Sequence, residues 1–270
     1  MSWTPRFLAC LALLPGLAQA GGSCERLVAT ASPDAPPFAW RDPAEPGHLI
    51  GASIDILSQV SAELGVKIDV LYTGRRSQAL DEARSGRVDL LADAVFNEQD
   101  LTRLDYVYPP LAYNEYVPWV RQSANPAYGS LADLASAQGV VSGKARLTPA
   151  FQAFAATHLK LAVAESLAQA LQRLARGEAQ YAIAPRYAGA AAVHALGLAG
   201  QLVPEEVSVD RPGIYLAIAQ DSACNDGWLR GQLAKKMTEL AASGGIQAIL
   251  QRNAERWQLQ QQAAGATAKP

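Results

Sequence analysis

The sequence predicts an α/β protein built of two lobes with the same plan. Short β-branched runs alternate with stretches in which apolar residues recur at helical spacing, and this alternation is typical of parallel sheets with right-handed crossovers. A unit in which a helix ends at Gly and a strand leads into a loop occurs at 79–93 and again at 170–184. The two copies share little identity but the same pattern, which indicates two similar lobes.

The first lobe is predicted to begin with a strand over 27–31, followed by a segment in which several prolines exclude regular structure. Apolar residues from Ile54 to Leu64 then recur at helical spacing, and Gly65 ends that helix. The series continues with a strand over 67–72, a helix over 77–84 that is closed by Gly86, and a strand over 88–95.

The second lobe and the return to the first follow the same alternation. The predicted elements are a strand over 139–142, a crossover helix over 167–174, a strand within 210–219, and two helices over 228–241 and 245–257. The last residues, 259–270, are rich in Gln and Ala, and this low complexity predicts a disordered tail.

Length and composition exclude several classes of protein. A chain of 270 residues is long enough for two lobes of roughly 100–150 residues, each with its own core. The 23 basic residues are balanced by 25 acidic ones, so the chain lacks the positive charge of a nucleic-acid-binding protein. Half of the residues are apolar, which argues against disorder. Past the N-terminus, no apolar run is long enough for a membrane span.

Residues 1–20 have the three-part layout of a secretory signal peptide. Arg6 precedes an apolar run, and Ala-Gln-Ala at 18–20 supplies small residues for cleavage. A buried N-terminal helix is the alternative, but Pro15 and Gly16 would interrupt it. The sequence therefore predicts export across the inner membrane to the periplasm.

Two cysteines, Cys24 and Cys224, remain in the mature chain. An oxidising compartment favours a disulfide between them, and the alternative is two unpaired thiols, one of them packed as a small hydrophobe. The three histidines are scattered, and no Cys/His spacing indicates a metal site. Neither a metal nor a cofactor is expected.

Six short motifs follow one another along the mature chain. They are Ala-Pro-Pro-Phe at 35–38, Gly-Ala-Ser-Ile-Asp-Ile-Leu at 51–57, Ser-Gly-Arg-Val-Asp-Leu at 85–90, Thr-Arg at 102–103 before Tyr-Pro-Pro-Leu at 108–111, Ser-Leu-Ala-Asp-Leu at 130–134, and Gly-Gly-Ile at 244–246 before Trp257. In this order they resemble the motifs of the periplasmic solute-binding proteins of the amino-acid-transport type, family 3. The resemblance spans about 24–258.

This resemblance implies the type II periplasmic-binding-protein fold, in which two strand crossings join two lobes and the cleft between them closes around a ligand. Lobe 1 would comprise 24–118 plus 214–258, and lobe 2 would comprise 119–213. Both cysteines would then lie in lobe 1, which favours their pairing. The resemblance also implies a monomer whose partner is the membrane permease of an ABC transporter.

The family anchors a ligand carboxylate with an Arg that follows a lobe 1 strand, and the best match here is Arg103. A guanidinium suits this role because it donates two parallel hydrogen bonds. The alternative is a surface Arg beside Asp100 and Asp105. Asp93 and Phe96 fall where the family has hydroxyl residues that contact the ligand.

In lobe 2, Lys144 and Arg146 precede a helix start at 148–149, where backbone N–H groups suit an anion; the alternative is a solvated turn. The family's amino-acid binders usually carry Asp at the position of Pro185, and Arg186 follows it here. This departure indicates a ligand that is more anionic than an ordinary amino acid. The remaining candidates for the cleft are Asp34, Arg75 with its neighbour Arg76, and the aromatic residue Tyr187.

The function that the resemblance favours is a non-catalytic receptor, which captures a small carboxylate-bearing solute, an amino acid or an organic acid, for the permease. One alternative is a ligand-sensing partner of a membrane sensor. The other is a periplasmic dehydratase of the cyclohexadienyl type, which needs a positioned general acid or base. Asp34, Asp93 and Glu98 could serve, but no carboxylate pair, nucleophile elbow or phosphate-binding loop stands out.

Overall fold

The computed structural model describes residues 24–124 and 128–267. The predicted signal peptide lies outside this part of the chain. The strands are β1 (Arg26–Thr30), β2 (Asp34–Ala35), β3 (Ala39–Arg41), β4 (Leu49–Ile50), β5 (Lys67–Leu71), β6 (Leu90–Val95), β7 (Leu104–Tyr113), β8 (Tyr116–Arg121), β9 (Gln138–Ser142), β10 (Lys160–Ala164), β11 (Tyr181–Pro185), β12 (Leu202–Pro204) and β13 (Gly213–Ala219). The helices are α1 (Ala52–Leu64), α2 (Arg76–Arg84), α3 (Pro149–His158), α4 (Leu167–Ala175), α5 (Arg186–Ala195), α6 (Gly227–Ala242) and α7 (Gly245–Thr267).

Lobe 1 is built on a five-stranded sheet with the order β5-β1-β6-β13-β7. β1 runs parallel to β5 and β6, and β13 runs antiparallel to β6 and β7. Helices α1, α6 and α7 pack on one face, where Ile56, Leu233 and Ile249 join the core. Ala79 and Ala83 of α2 cover part of the other face. The small antiparallel sheet β2-β3-β4 belongs to this lobe.

Lobe 2 repeats the plan with the strand order β10-β9-β11-β8-β12. β9 runs parallel to β10 and β11, whereas β8 runs antiparallel to β11 and β12. Trp119 packs with α4 and α5 on one face, and Tyr181 packs with α3 on the other. Both aromatic side chains are fully buried. The two-lobe α/β fold class predicted from the sequence is therefore confirmed.

The chain crosses between the lobes twice. The first crossing is at Asn114 and Glu115, between β7 and β8, and the second lies between Asp210 and Gly213. The sequence placed this boundary at 118/119, later than the structure does, because residues 116–118 already belong to β8 of the lobe 2 sheet. Only Asn114 and Glu115 separate β7 from β8. Both strands are rich in aromatic and apolar residues, so the sequence marks this crossing only weakly.

A disulfide joins Cys24 and Cys224 in lobe 1, with their Cα atoms 5.6 Å apart. It fastens the start of the lobe 1 chain, two residues before β1, to the segment between β13 and α6, so the two parts of the chain that build lobe 1 are tied together.

The predicted disordered tail is instead helical as far as Thr267, because α7 continues through it. Gln and Ala are good helix formers, and the extension has specific contacts. The Trp257 ring lies edge-on to Trp40 at 5.4 Å, and Trp40 Nε1 donates to Gln260 Oε1 at 2.9 Å. Among the described residues, no helix combines the length and apolar character needed to cross a membrane.

Candidate functional site

A cavity of about 850 Å³ lies between the lobes and is lined by residues of both. A smaller cavity of about 320 Å³ shares the lining residues Arg76, Leu80, Asp93, Ala145 and Arg146 with it. Volumes of 300–1,000 Å³ are typical of small-molecule sites. The cleft therefore offers room for a metabolite of ordinary size.

Positive charge dominates the lining of the larger cavity. Five cationic residues contribute, three from lobe 1 and two from lobe 2, against two carboxylates: Arg41, Arg75, Arg76, Lys144, Arg146, Asp34 and Asp93. The guanidinium of Arg41 is already engaged, since it lies over the Tyr72 ring and donates to the Pro46 carbonyl. The excess of cations makes the cavity suited to an anion.

Asp93 and Arg146 form an ion pair across the cleft. Asp93 lies in β6 and lines the cavity. Its Oδ2 accepts a hydrogen bond from Arg146 Nη1 at 3.1 Å. Only 1% of the Asp93 side chain and 11% of the Arg146 side chain are exposed. The other carboxylate oxygen of Asp93 accepts from the Ser32 N–H at 3.0 Å. This pair thus joins the lobes directly through two nearly buried groups.

The loop that carries Arg146 is held by the two crossing segments. Asp210, at the second crossing, accepts from both the backbone N–H and the hydroxyl of Thr148, each at 2.7 Å. Tyr116, just after the first crossing, accepts from the Arg146 N–H at 2.8 Å. Burial raises the pKa of Tyr116, so its hydroxyl stays neutral at physiological pH. These hydrogen bonds therefore fix the position of the loop relative to the two crossing segments.

Arg76, the first residue of α2, is the lobe 1 cavity cation whose pKa is shifted by its surroundings. Desolvation in the cleft lowers its pKa, and the positive charge of Arg146 lowers it further. An arginine nevertheless remains charged at neutral pH. Its guanidinium has no ion-pair partner among the residues that the structure describes. Arg76 is thus a positive group in the cleft that is free to bind an anion.

The structure brings most of the predicted site residues together. Asp34, Arg75, Asp93, Lys144 and Arg146 line the larger cavity. Phe96 lines the smaller one and contacts the Tyr106 ring at 5.2 Å.

Arg103, predicted as the carboxylate anchor, lies outside the lining of both cavities in this structure. More than half of its side chain is exposed, and it pairs with Asp221 on the surface at 3.4 Å. The short 3-10 helix Glu98–Thr102 turns the chain so that Asp100 points inward and Arg103 outward. Asp100 is buried against Arg84, whose Nε donates to it at 2.7 Å. The surface alternative weighed for Arg103 is the one observed.

Arg186 and Tyr187 also lie away from the cavities. They begin α5, whose preceding residue Pro185 does line the cavity, but the helix turns their side chains toward the hinge. Arg186 pairs with Glu115 at 3.4 Å and donates to two backbone carbonyls. Tyr187 packs against the core of lobe 1.

Several cavity residues were missed by sequence reasoning, namely Arg41, Asn114, Tyr116 and Ser142. Ser142 ends β9, and the rule that ligands bind at the carboxyl ends of parallel strands could have found it. No sequence signal marks Tyr116, which enters the site only through the hinge geometry. Among the described residues, no cluster of His, Cys, Asp and Glu could hold a metal ion.

The fold is shared with several solved structures. A histidine kinase sensor domain with similarity to periplasmic binding proteins matches with a TM-score of 0.65 and 21% identity, over 85% of this chain and 96% of that one. The amino acid ABC transporter substrate-binding protein AbpA from Streptococcus pneumoniae, bound to L-arginine, matches with a TM-score of 0.62 and 17% identity, over 86% and 96%. The Bordetella pertussis BvgS periplasmic VFT2 domain matches with a TM-score of 0.64 and 18% identity, over 86% and 93%.

Sequence comparison identifies the family. No curated protein sequence matches the chain significantly. The family model of the bacterial extracellular solute-binding proteins, family 3, matches residues 27–255, which is nearly the whole described part. The hinged two-lobe fold, the cavity between the lobes and this match agree, and the chain belongs to the bacterial extracellular solute-binding proteins, family 3.

Proposed function

We propose that this protein is a periplasmic receptor, which captures a small carboxylate-bearing solute between its lobes and delivers it to the membrane permease of an ABC transporter. The observation that carries the proposal is the excess of positive charge around the interlobe cavity. A carboxylate that enters a closing cleft loses its hydration, and guanidinium groups offset that loss with charge-assisted hydrogen bonds.

Arg146 is the proposed carboxylate anchor in place of Arg103. It lines both cavities, and its backbone is fixed by Tyr116 and the Thr148–Asp210 contact. A preorganised cation loses little freedom on binding, and this supports affinity. An incoming carboxylate would share Arg146 with Asp93 or take the place of that side chain.

Two observations favour a receptor over a dehydratase. Asp93, the most buried candidate base, has both carboxylate oxygens engaged by Ser32 and Arg146. Glu98 lies outside the lining of both cavities. A general base needs a free oxygen within hydrogen-bond reach of the proton that it removes, and only Asp34 meets this requirement in the larger cavity.

Binding without turnover can be tested on the purified mature chain, residues 21–270. We expect at least one acid in a thermal-shift panel of amino acids, mono- and dicarboxylates and polyamines to raise the melting temperature, because a ligand stabilises the state that it binds. Calorimetry then measures the affinity, and NMR after long incubation should recover the solute unchanged. A panel without any binder, or chemical conversion of the bound solute, would contradict the receptor function.

A sensory role is the second candidate, since one of the matching structures is a histidine kinase sensor domain with similarity to periplasmic binding proteins. Deletion of the gene separates the two roles. Loss of uptake of the bound solute supports delivery to a permease. Normal uptake with a lost transcriptional response to that solute supports sensing instead.

A further inference from the structure

We infer that the ligand is an organic diacid without an ammonium group, whose two carboxylates bind cations on opposite lobes. This inference rests on the proposed receptor function and narrows it to one chemical class. It follows from which charged groups in the cleft already have ion-pair or hydrogen-bond partners within the protein and which do not.

The carboxylate of Asp93 is not available to a ligand ammonium. One of its oxygens accepts from the Ser32 N–H at 3.0 Å, and the other pairs with Arg146 at 3.1 Å. Its side chain is almost completely buried. Arg146 and Asp93 neutralise each other, so the pair adds no net charge to the cavity, and Arg146 serves a ligand carboxylate through the N–H donors that Asp93 leaves free.

Among the described residues, only Arg146 of the five cavity cations has an acidic partner at ion-pair distance. Arg41 is engaged by a ring and a carbonyl, so Arg75, Arg76 and Lys144 remain for a ligand, and Arg76 and Lys144 face the cavity from opposite lobes. Arg76 starts α2 in lobe 1, and Lys144 follows β9 in lobe 2. A ligand with two carboxylates can neutralise both at once, and it would hold the lobes together by doing so. A ligand with one carboxylate would leave one of these charges uncompensated in the closing cleft.

Among the described residues, lobe 2 contributes no carboxylate to the cavity lining that could hold an ammonium group. Pro185 lines the cavity there, at the end of β11. The remaining cavity carboxylate, Asp34, is solvent-exposed in lobe 1, and its negative charge acts on Arg76. The negative charge of Asp34 therefore partly offsets the positive charge of Arg76. If Asp34 instead held a ligand ammonium, its removal would abolish binding, which makes it a discriminating position.

The test compares acids that differ by one charge. Calorimetry and thermal shift are run with succinate, glutarate and adipate, each against its own monoamide. L-glutamate against L-glutamine tests the same difference in the presence of an ammonium group, and L-arginine serves as a cationic probe. We expect at least one diacid to bind about 10- to 100-fold more tightly than its monoamide, the effect of one charge-assisted hydrogen bond.

Three variants assign the charges. Arg76→Gln should remove most of the preference for the diacid over its monoamide. Asp34→Asn should leave diacid affinity unchanged or increase it. Arg103→Gln is the matched control, because this exposed arginine lies outside both cavities, and the diacid preference should survive in it.

The possible results distinguish failure of the diacid inference from failure of the proposed receptor function. A monoamide, a neutral amino acid or L-arginine that binds as tightly as every diacid would overturn the diacid inference and leave a receptor function in place. Loss of binding in Asp34→Asn would do the same. If no compound of the panel binds, the inference and the proposed receptor function both fail.

Discussion

The two lobes are stabilised by different means. Lobe 1 carries the Cys24–Cys224 disulfide, which ties its first strand to the segment before α6. Both lobes bury large aromatic side chains, Phe38 and Trp40 in lobe 1 and Trp119 and Tyr181 in lobe 2, but lobe 2 contains no cysteine. The lobes share one topology but differ in covalent constraint, so reduction should weaken lobe 1 and leave the core of lobe 2 unchanged.

The lobes also present their charged groups differently. In lobe 1, Asp93 and Arg76 are fixed by a strand and a helix start. In lobe 2, Lys144 and Arg146 lie on a loop whose position depends on hydrogen bonds to Asp210 and Tyr116. Damage to lobe 2 side chains near the hinge should consequently disturb binding more than equivalent surface changes elsewhere.

Removal of the disulfide should have the largest effect on stability. In a Cys24→Ser, Cys224→Ser double variant we expect the free energy of unfolding to fall by about 2–5 kcal/mol, since the unfolded chain is no longer constrained. Urea unfolding measures the loss, and hydrogen exchange should locate it in lobe 1. Reduced wild-type protein is the control. Equal stability of oxidised and reduced protein would contradict a stabilising bridge.

Asp210→Ala should come next, because it removes the acceptor of two hydrogen bonds from Thr148. We expect a loss of about 3 kcal/mol in the free energy of unfolding, together with weaker ligand binding as the Arg146 loop loosens. Urea unfolding and calorimetry measure the two effects. Asp221→Ala, at an exposed position, should change stability by less than about 0.5 kcal/mol. Similar values for both variants would argue against the role of Asp210.

Alkaline pH should weaken lobe 2 through Tyr181. Burial raises the pKa of this hydroxyl to about 12, from an ordinary value near 10. Between these values the unfolded state loses the proton and the folded state keeps it, so stability falls as pH rises. We expect a loss of about 2–3 kcal/mol between pH 10 and 12. Tyr181→Phe should flatten this part of the profile, and an unchanged slope in that variant would refute the assignment.

Asp93→Asn should have the smallest effect on unfolding and a visible effect on shape. The ion pair with Arg146 lies between the lobes, so its loss allows them to part and Arg146 to regain water. We expect the free energy of unfolding to fall by about 1–2 kcal/mol, the cost of one lost charge-assisted hydrogen bond, because Arg146 regains water and so avoids the about 3–5 kcal/mol of a buried charge that stays unpaired. The radius of gyration from small-angle scattering should increase. A variant as compact as the wild type would mean that other contacts hold the lobes together.

The fold was predictable because its signals are local. The apolar spacing from Ile54 to Leu64 and the strand within Val88–Val95 each indicate one element, and six short motifs in order indicate the whole. The C-terminal tail was not predictable, because Gln and Ala are compatible with both disorder and helix. Its outcome depends on Trp257 and Gln260, which contact Trp40 far away in sequence.

The cavity lining was predictable where a residue lies near the end of a regular element. Asp93 and Arg146 come at a strand end and before a helix start, and the structure brings both into the cleft. Arg103 was misplaced because the short helix before it rotates the chain by a fraction of a turn, which spacing alone does not reveal. Tyr116 and Asp210 act through the hinge, and hinge contacts form only after both lobes have folded.

The most direct test of a cationic cleft that binds an acidic solute is the dissociation constant of the tightest-binding acid for Arg146→Gln, measured by titration calorimetry beside the wild type and Arg103→Gln. We predict a 10- to 100-fold weaker affinity in Arg146→Gln, the effect of one lost charge-assisted contact, and an unchanged affinity in Arg103→Gln. Equal affinity in all three proteins would contradict this prediction.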